Sequence, residues 1–293
     1  IAQLISEKLP ELAAAEAKDN GKPLQLAKAI DIPRASANFQ FFANAITQFA
    51  SEAHESVGMN AMNFTLRQPT GQAIVEHPHI KAISFTGGTT TGAHIASVAA
   101  PMFKKLSLEL GGKNPNIIFA DCDYDDMLQT TVRSSFANQG QICLCGSRIF
   151  VEESIYEKFK TDFVAAVATL KVGNPFDEST NIGALVSKQH LEKVKSYIDN
   201  ADQLGGKVIF GGKTVAVQNS EEGYYLQPTI IEVKDNQCQL NQEEIFGPIV
   251  TIMSFKTEEE VLTMANDVSY GLSATLWTND LKRTMRISKQ IQA

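Results

Sequence analysis

The sequence predicts an α/β protein with a mainly parallel sheet, and three observations carry that expectation. Short β-rich runs alternate with amphipathic helical stretches along the chain. Several runs end in a glycine turn that opens into a helix, the crossover connection parallel strands require. With 293 residues, 43% of them hydrophobic, the chain can bury one large core or two ordinary ones.

Taken in order, residues 1–23 read as an amphipathic helix with an alanine-rich body, stopped by Asn20-Gly21 and Pro23. Residues 24–53 read as one or two further helices, with Pro33 as a start or a kink. "NFTLRQP" alternates like a strand and runs into a Pro-Thr-Gly turn. "KAISFTGG" and "KKLSLELGG" are strands feeding glycine turns, with "TTTGAHIASVAAPMF" as the helix between them. "PNIIFA" and "SRIFVEESI" are strand candidates. "SIYEKFKTDFVAAVATL" and "SKQHLEKVKSYIDNADQLG" are the clearest amphipathic helices. "KVIFGG", "YYLQPTIIEV" and "IVTIMSF" follow as strands, and "TEEEVLTMAND" as a helix with a Thr cap and acids in its first turn.

Composition excludes several classes of partner. The chain is 20% charged with a net charge of −7 and no Lys/Arg-rich run, so nothing electrostatic points to nucleic acid. No apolar run approaches the roughly 18–20 residues of a membrane span, and no secretory signal is visible. Four cysteines are too few for a disulfide scaffold of this size, so a reducing, cytoplasmic setting is expected. The chain begins at Ile1, inside an apparent helix, which leaves room for an upstream targeting segment.

Three constellations could carry chemistry. In "ISFTGGTTTG" a strand ends in Thr86-Gly87-Gly88 before a helix, which aims backbone N–H groups and the positive end of the helix dipole at one point, a place suited to phosphate. An ordinary βα turn would read the same, and the spacing fails G-x-G-x-x-G. In "LELGGKNP", Glu109 closes an apolar run beside a Gly-Gly turn. A carboxylate among apolar neighbours there would have a raised pKa and could act as a base, while a glutamate on an edge strand would simply face water. In "FANQGQICLCGSRIF", Cys143 and Cys145 form C-x-C, and no cysteine or histidine pair stands at zinc spacing, so a metal site is not expected. If this stretch is extended, alternation puts both thiols on one side of a packed strand, and packing is the default for Cys145. Cys143 follows a polar, glycine-containing turn, where nearby N–H groups would favour a thiolate and then an oxyanion.

"LELGGKNP" followed by "FANQGQICLCGS" resembles the paired active-site signatures of the NAD(P)-dependent aldehyde dehydrogenase superfamily, down to the 34 residues from Glu109 to Cys143. "EAKDNGKP", "ISFTGG", "QEEIFGPIV" and "NDVSYGLSATLWT" resemble further family motifs in the same order across nearly the whole chain. The resemblance implies a truncated Rossmann-type cofactor domain plus an α/β catalytic domain. It divides the chain at 1–110 and 111–275, with 276–293 beginning the return to the cofactor domain. Cys143 would be the nucleophile and Glu109 the base for thioester hydrolysis. Thr86, Gly87, Gly88, Gly92, Leu110, Glu244 and Phe246 would hold NAD. Arg34 would meet a substrate carboxylate bidentately, although a solvated surface arginine reads equally well. The implied substrate is a small aldehyde, within the family most like the semialdehyde-oxidising branch, and the intact protein is expected to be a homo-oligomer.

The sequence also departs from the family. After Thr70-Gly71-Gln72 the expected Pro-Trp-Asn and Lys-Pro-Ser-Glu segments are missing, taking with them an oxyanion-hole asparagine and an adenosine-ribose lysine. An internal deletion near 71–73 and an incomplete N-terminus and C-terminus are therefore expected, with exposed apolar edges and helix faces as the consequence. A partial form that acts only as an aldehyde dehydrogenase-like subunit, and a cofactor-independent thiol esterase, are the competing readings.

Overall fold

The computed structural model describes residues 1–47, 53–56, 61–64, 75, 77–218, 220 and 222–293. The segment containing the expected deletion, 65–74, lies outside the described residues, as does most of "NFTLRQP". The chain opens with α1 (Ala2–Glu7), α2 (Leu9–Asn20), α3 (Leu24–Leu26), a π-helical turn over Ala27–Asp31, and α4 (Ile32–Thr47). The π turn has a local cause. Pro33 has no N–H and its ring crowds the preceding turn, and just before it the Ile32 N–H reaches back five residues to Ala27 O.

Contacts divide the chain into two compact units. One comprises Ile1–Glu7 and Pro33–Gly111, the other Lys8–Ile32 and Gly112–Ala293. Residues 8–32 and 276–293, assigned from sequence to the cofactor side, have their contacts in the second unit.

In the first unit, β1 (Ala53–Ser56) pairs antiparallel with β2 (Ala61–Phe64). A βαβ element follows: β3 (Ala82–Thr86), α5 (Thr89–Ala99) and β4 (Lys105–Glu109), with β3 and β4 parallel from Ala82↔Lys105 to Thr86↔Glu109. Period-2 alternation sends Ile83, Phe85, Leu106 and Leu108 to one face, where they pack with Ile80, Ile95 and Ala99. Lys104 is buried and its Nζ donates to Val75 O (2.5 Å) and His77 O (2.7 Å), which pins the approach to β3. Apolar helix surface is left open: Phe41 and Phe42 on α4 are 64% and 67% exposed.

In the second unit, β5 (Pro115–Ile118), α6 (Tyr124–Phe136), β6 (Arg148–Glu152), α7 (Tyr156–Ala168) and α8 (Lys188–Asp199) precede β7 (Gly206–Phe210), β8 (Thr229–Val233) and α9 (Gln239–Gln242). Then come β9 (Ile249–Phe255), α10 (Glu258–Asn266), β10 (Thr275–Trp277) and α11 (Leu281–Ile287). The sheet order is β10-β5-β6-β9-β8-β7, parallel except for β7. Both faces are covered. Ile117, Phe150 and Ile231 meet Val194 and Ile198 of α8 and Val261 of α10 on one side. Ile118, Ile149 and Ile252 meet Met127, Phe159 and Phe163 of α6 and α7 on the other. A sheet buried on both faces explains why β9 reads as a continuous apolar run rather than an alternating one. No described helix is long and apolar enough to cross a membrane.

Candidate active site

The Cys143 turn is built from left-handed backbone. Asn138, Gln139 and Gly140 have φ of 51°, 58° and 68°. For the first two residues that conformation costs roughly 1–2 kcal/mol each, so the surroundings must hold it. Gln139 is fully buried, and its amide works as a short piece of ladder: Nε2 donates to Ala184 O (3.1 Å) and Oε1 accepts from Gly183 N–H (3.3 Å). Asn138 Nδ2 donates to Gln141 O (3.0 Å). Gly140 carries no Cβ because one would sit 2.1 Å from Gly247 O.

The stretch is not extended, so the alternation that would put both thiols on one side does not apply. Residues 141–147 form a turn and loop, and β6 begins only at Arg148. Cys143 is half-buried and Cys145 buried. Burial pushes the Cys145 thiol up to about 12, against a smaller opposing pull from the Ile142 backbone, so it stays protonated and inert. The Cys143 N–H has no acceptor among the described residues and is available to a ligand.

Four of the sequence motifs converge on this turn. Asn114 of "LGGKNP" donates from Nδ2 to Cys143 O (2.7 Å) and Cys145 O (2.9 Å), while its Oδ1 accepts from Ser273 N–H (3.1 Å) of "SYGLSATLWT". Gly112 N–H donates to Glu244 Oε1 (2.9 Å) of "EEIFGP", which leaves Glu244 Oε2 open among the described residues. A Cβ on Gly112 would meet Cys143 O at 2.5 Å. "DNGKP" reaches the turn from behind, because Gly21 (φ 77°) lies against Gly183 and Ala184, the residues Gln139 holds. Below the site Arg148 is buried with its guanidinium on three carbonyls, donating to Lys113 O (2.8 Å), Met264 O (3.0 Å) and Ala265 O (2.8 Å). Lys113 is buried too, and desolvation with the Arg148 charge brings its amine down to about 7.

In the first unit, Thr86 and Glu109 end their strands side by side, and Gly87 N–H donates to Glu109 O (3.0 Å). The apolar surroundings expected for Glu109 are absent among the described residues of this unit. It lies on the exposed row of β4 with Lys105 and Ser107, because alternation sends Leu106 and Leu108 to the packed face. Gly88 is the N-cap of α5 with no side chain capping the helix, and a Cβ there would meet nothing within 4 Å. Gly92 is backed by Leu110, whose Cδ2 would lie 2.4 Å from a Cβ. Arg34 is exposed on α4 and pairs with no described residue.

Sequence reasoning missed Asn114, Gln139 and His190. Asn138 and Gly140 in "NQG" do signal left-handed backbone, but the partner residues are far away in sequence. α6 was missed as well, despite its Asp123 cap accepting from Asp126 N–H (3.3 Å).

The second unit is thus a doubly covered α/β sheet with a half-buried thiol on a turn braced by distant motifs. The profile of the "Aldehyde dehydrogenase family" matches residues 1–72 and 70–293, two pieces that meet at 70–72. The chain belongs to the aldehyde dehydrogenase family, whose chemistry is aldehyde oxidation. It is 39% identical to the 2-aminomuconic semialdehyde dehydrogenase of Bos taurus over 366 aligned positions, covering 100% of this chain and 75% of the relative. It is 33% identical to the 5-carboxymethyl-2-hydroxymuconate semialdehyde dehydrogenase of Escherichia coli, covering 100% and 77%. A crystal structure of a Burkholderia cenocepacia aldehyde dehydrogenase superposes with a TM-score of 0.90 at 31% identity, covering 100% of this chain and 74% of the other. An NAD+ complex of a Bacillus cereus aldehyde dehydrogenase superposes at 0.90 with 29% identity, covering 100% and 72%.

Proposed function

We propose that this chain represents an NAD-dependent aldehyde dehydrogenase acting on a carboxylate-bearing semialdehyde such as 2-aminomuconate semialdehyde. The observation that carries the reading is the bracing of the Cys143 turn by "LGGKNP" and "EEIFGP", through Asn114 to Cys143 O and Gly112 N–H to Glu244 Oε1. The residues fit the cofactor. The open first turn of α5 beyond Gly88 suits a pyrophosphate, with Thr86 and Gly87 leading into it and Gly92 and Leu110 packed behind. Glu244 Oε2 can accept a ribose hydroxyl beside Phe246.

The Cys143 thiolate forms the C–S bond to the aldehyde carbon, and its own N–H receives the oxyanion of the thiohemiacetal. NAD, when bound, supplies the acceptor for the hydride leaving that carbon. Glu109 takes a proton from the water that attacks the thioester, and Cys143 leaves as thiolate. Arg34 orients the substrate carboxylate. The names of the muconate-type relatives support this substrate class. A cytoplasmic homo-oligomer goes with the reading.

A second reading rests on the chain's own gap. The profile match breaks at 70–72, where by the family resemblance the oxyanion asparagine and the ribose lysine would stand, and the 366 aligned positions correspond to only 293 residues here. Loss of one oxyanion donor lowers the rate about 10²–10³-fold, which makes this a catalytically impaired, subunit-like form. Aldehyde-dependent NADH formation by the purified chain separates the two. The first reading expects turnover that Cys143→Ala reduces by at least about 10³-fold. Turnover that survives Cys143→Ala overturns the nucleophile assignment. NAD binding without turnover favours the impaired form.

A further inference from the structure

The loop from Glu243 to Gly247 is gripped by one face of α8, with His190, Lys193, Val194 and Tyr197 at helical spacing. His190 Nε2 donates to Phe246 O at 2.6 Å, so the ring carries its hydrogen on Nε2, since a carbonyl only accepts. Lys193 Nζ donates to Glu244 O (3.3 Å), and Tyr197 Oη donates to Glu243 Oε2 (2.6 Å). The Val194 methyl groups occupy the space where a Cβ on Gly247 would lie, 2.8 Å away. The residue at the centre of this grip is itself strained. Phe246 has φ 61°, a region a bulky side chain enters only when its surroundings hold it there. Of these four residues only His190 contacts the strained residue's own carbonyl, and its ring also stands edge-on to the Phe246 ring with centroids 6.1 Å apart.

We propose that His190 is a positioning residue: its Nε2–H holds the Phe246 carbonyl and so keeps the Phe246 ring and the Glu244 carboxylate in the arrangement that receives the nicotinamide ribose. The proposal rests on the reading that this loop takes NAD. A merely space-filling histidine would be replaced by any side chain of similar size, whereas a clamp requires a donor.

The full 293-residue chain is compared with His190→Leu and His190→Gln. Two quantities are measured: the NAD dissociation constant by calorimetry, and amide hydrogen exchange across residues 243–249 without NAD. His190→Leu is expected to weaken NAD binding by about tenfold, the scale of one net hydrogen bond. It should also speed exchange locally at 245–249, including the Ile249 N–H that bonds Gly247 O, while the centres of β6 and β9 stay protected. His190→Gln, which keeps a donor, is expected to restore both. Unchanged binding and exchange in His190→Leu, or a glutamine variant as impaired as the leucine one, overturns the proposal. Loss of protection throughout the second unit in His190→Leu points to a general packing role and also overturns it. Absence of NAD binding by the unmodified chain sinks the cofactor reading and the cofactor part of this role with it. The exchange data then judge the clamp on Phe246 by themselves.

Discussion

Each unit of this chain contains a buried cation that holds backbone carbonyls, and the two differ in what they secure. Arg148 in the second unit spreads its guanidinium over three carbonyls from two distant segments, Lys113 and Met264-Ala265, under a six-stranded sheet covered on both faces. Among the described residues, Lys104 in the first unit reaches Val75 and His77, beside a parallel pair of strands packed by one helix on one face. The second unit is a finished core in which each site motif is braced by others. The described residues of the first hold a βαβ element packed on one face, and Phe41 and Phe42 of α4 stand exposed. A strand pair packed on one face buries less apolar area to offset chain entropy than a sheet covered on both.

The largest expected effect is in native-state hydrogen exchange. Amides at the centres of β6 and β9 should exchange at least about 10³-fold more slowly than those of β3 and β4, because local opening in the first unit exposes little buried surface. Equal protection in both units would break the contrast. Next, Arg148→Met should destabilise the second unit by roughly 3–5 kcal/mol, since three buried carbonyls lose a charged donor. Lys104→Met, with two carbonyls released near the surface, should cost about 1–2 kcal/mol. Denaturant unfolding of both variants checks the order, and a larger loss from Lys104→Met would reverse the ranking of the units.

Lys113 sharpens the comparison through pH. Its folded value, about 7, lies below its ordinary 10.5 because burial and the Arg148 charge both oppose protonation. The unfolded chain therefore binds the proton more readily between those values. The stability tied to this group is full above 10.5 and is lost as pH falls through 7. Lys113→Met should flatten the pH dependence of unfolding over that window by a few kcal/mol, roughly 1.4 for each tenfold difference in proton affinity between the folded and unfolded chain. A slope unchanged by the substitution would show that the amine is solvated.

Much of the fold was legible because it rests on local periodicity. β9 spans Ile249–Phe255, the whole of "IVTIMSF", and Thr257 caps α10 through the Glu260 N–H (3.1 Å), each written in adjacent residues. The site was legible only as separate motifs. That Asn114 would join Cys143 O to Ser273 N–H depends on residues 29 and 159 positions away, and no local pattern records that. The setting of Glu109 was open for a related reason. An apolar run says which residues are hydrophobic, but the side of the strand that the glutamate takes depends on where α5 packs.

By itself the sequence determined the family, most of the order of strands and helices, and the motifs that meet at the Cys143 turn, because propensity, glycine turns and motif spacing are properties of neighbours along the chain. Only the tertiary structure decided which thiol is half-open and which is sealed, and which helix grips Phe246. It also decided which carbonyls Arg148 satisfies, since burial and hydrogen-bond pairing arise only when distant segments fold against one another.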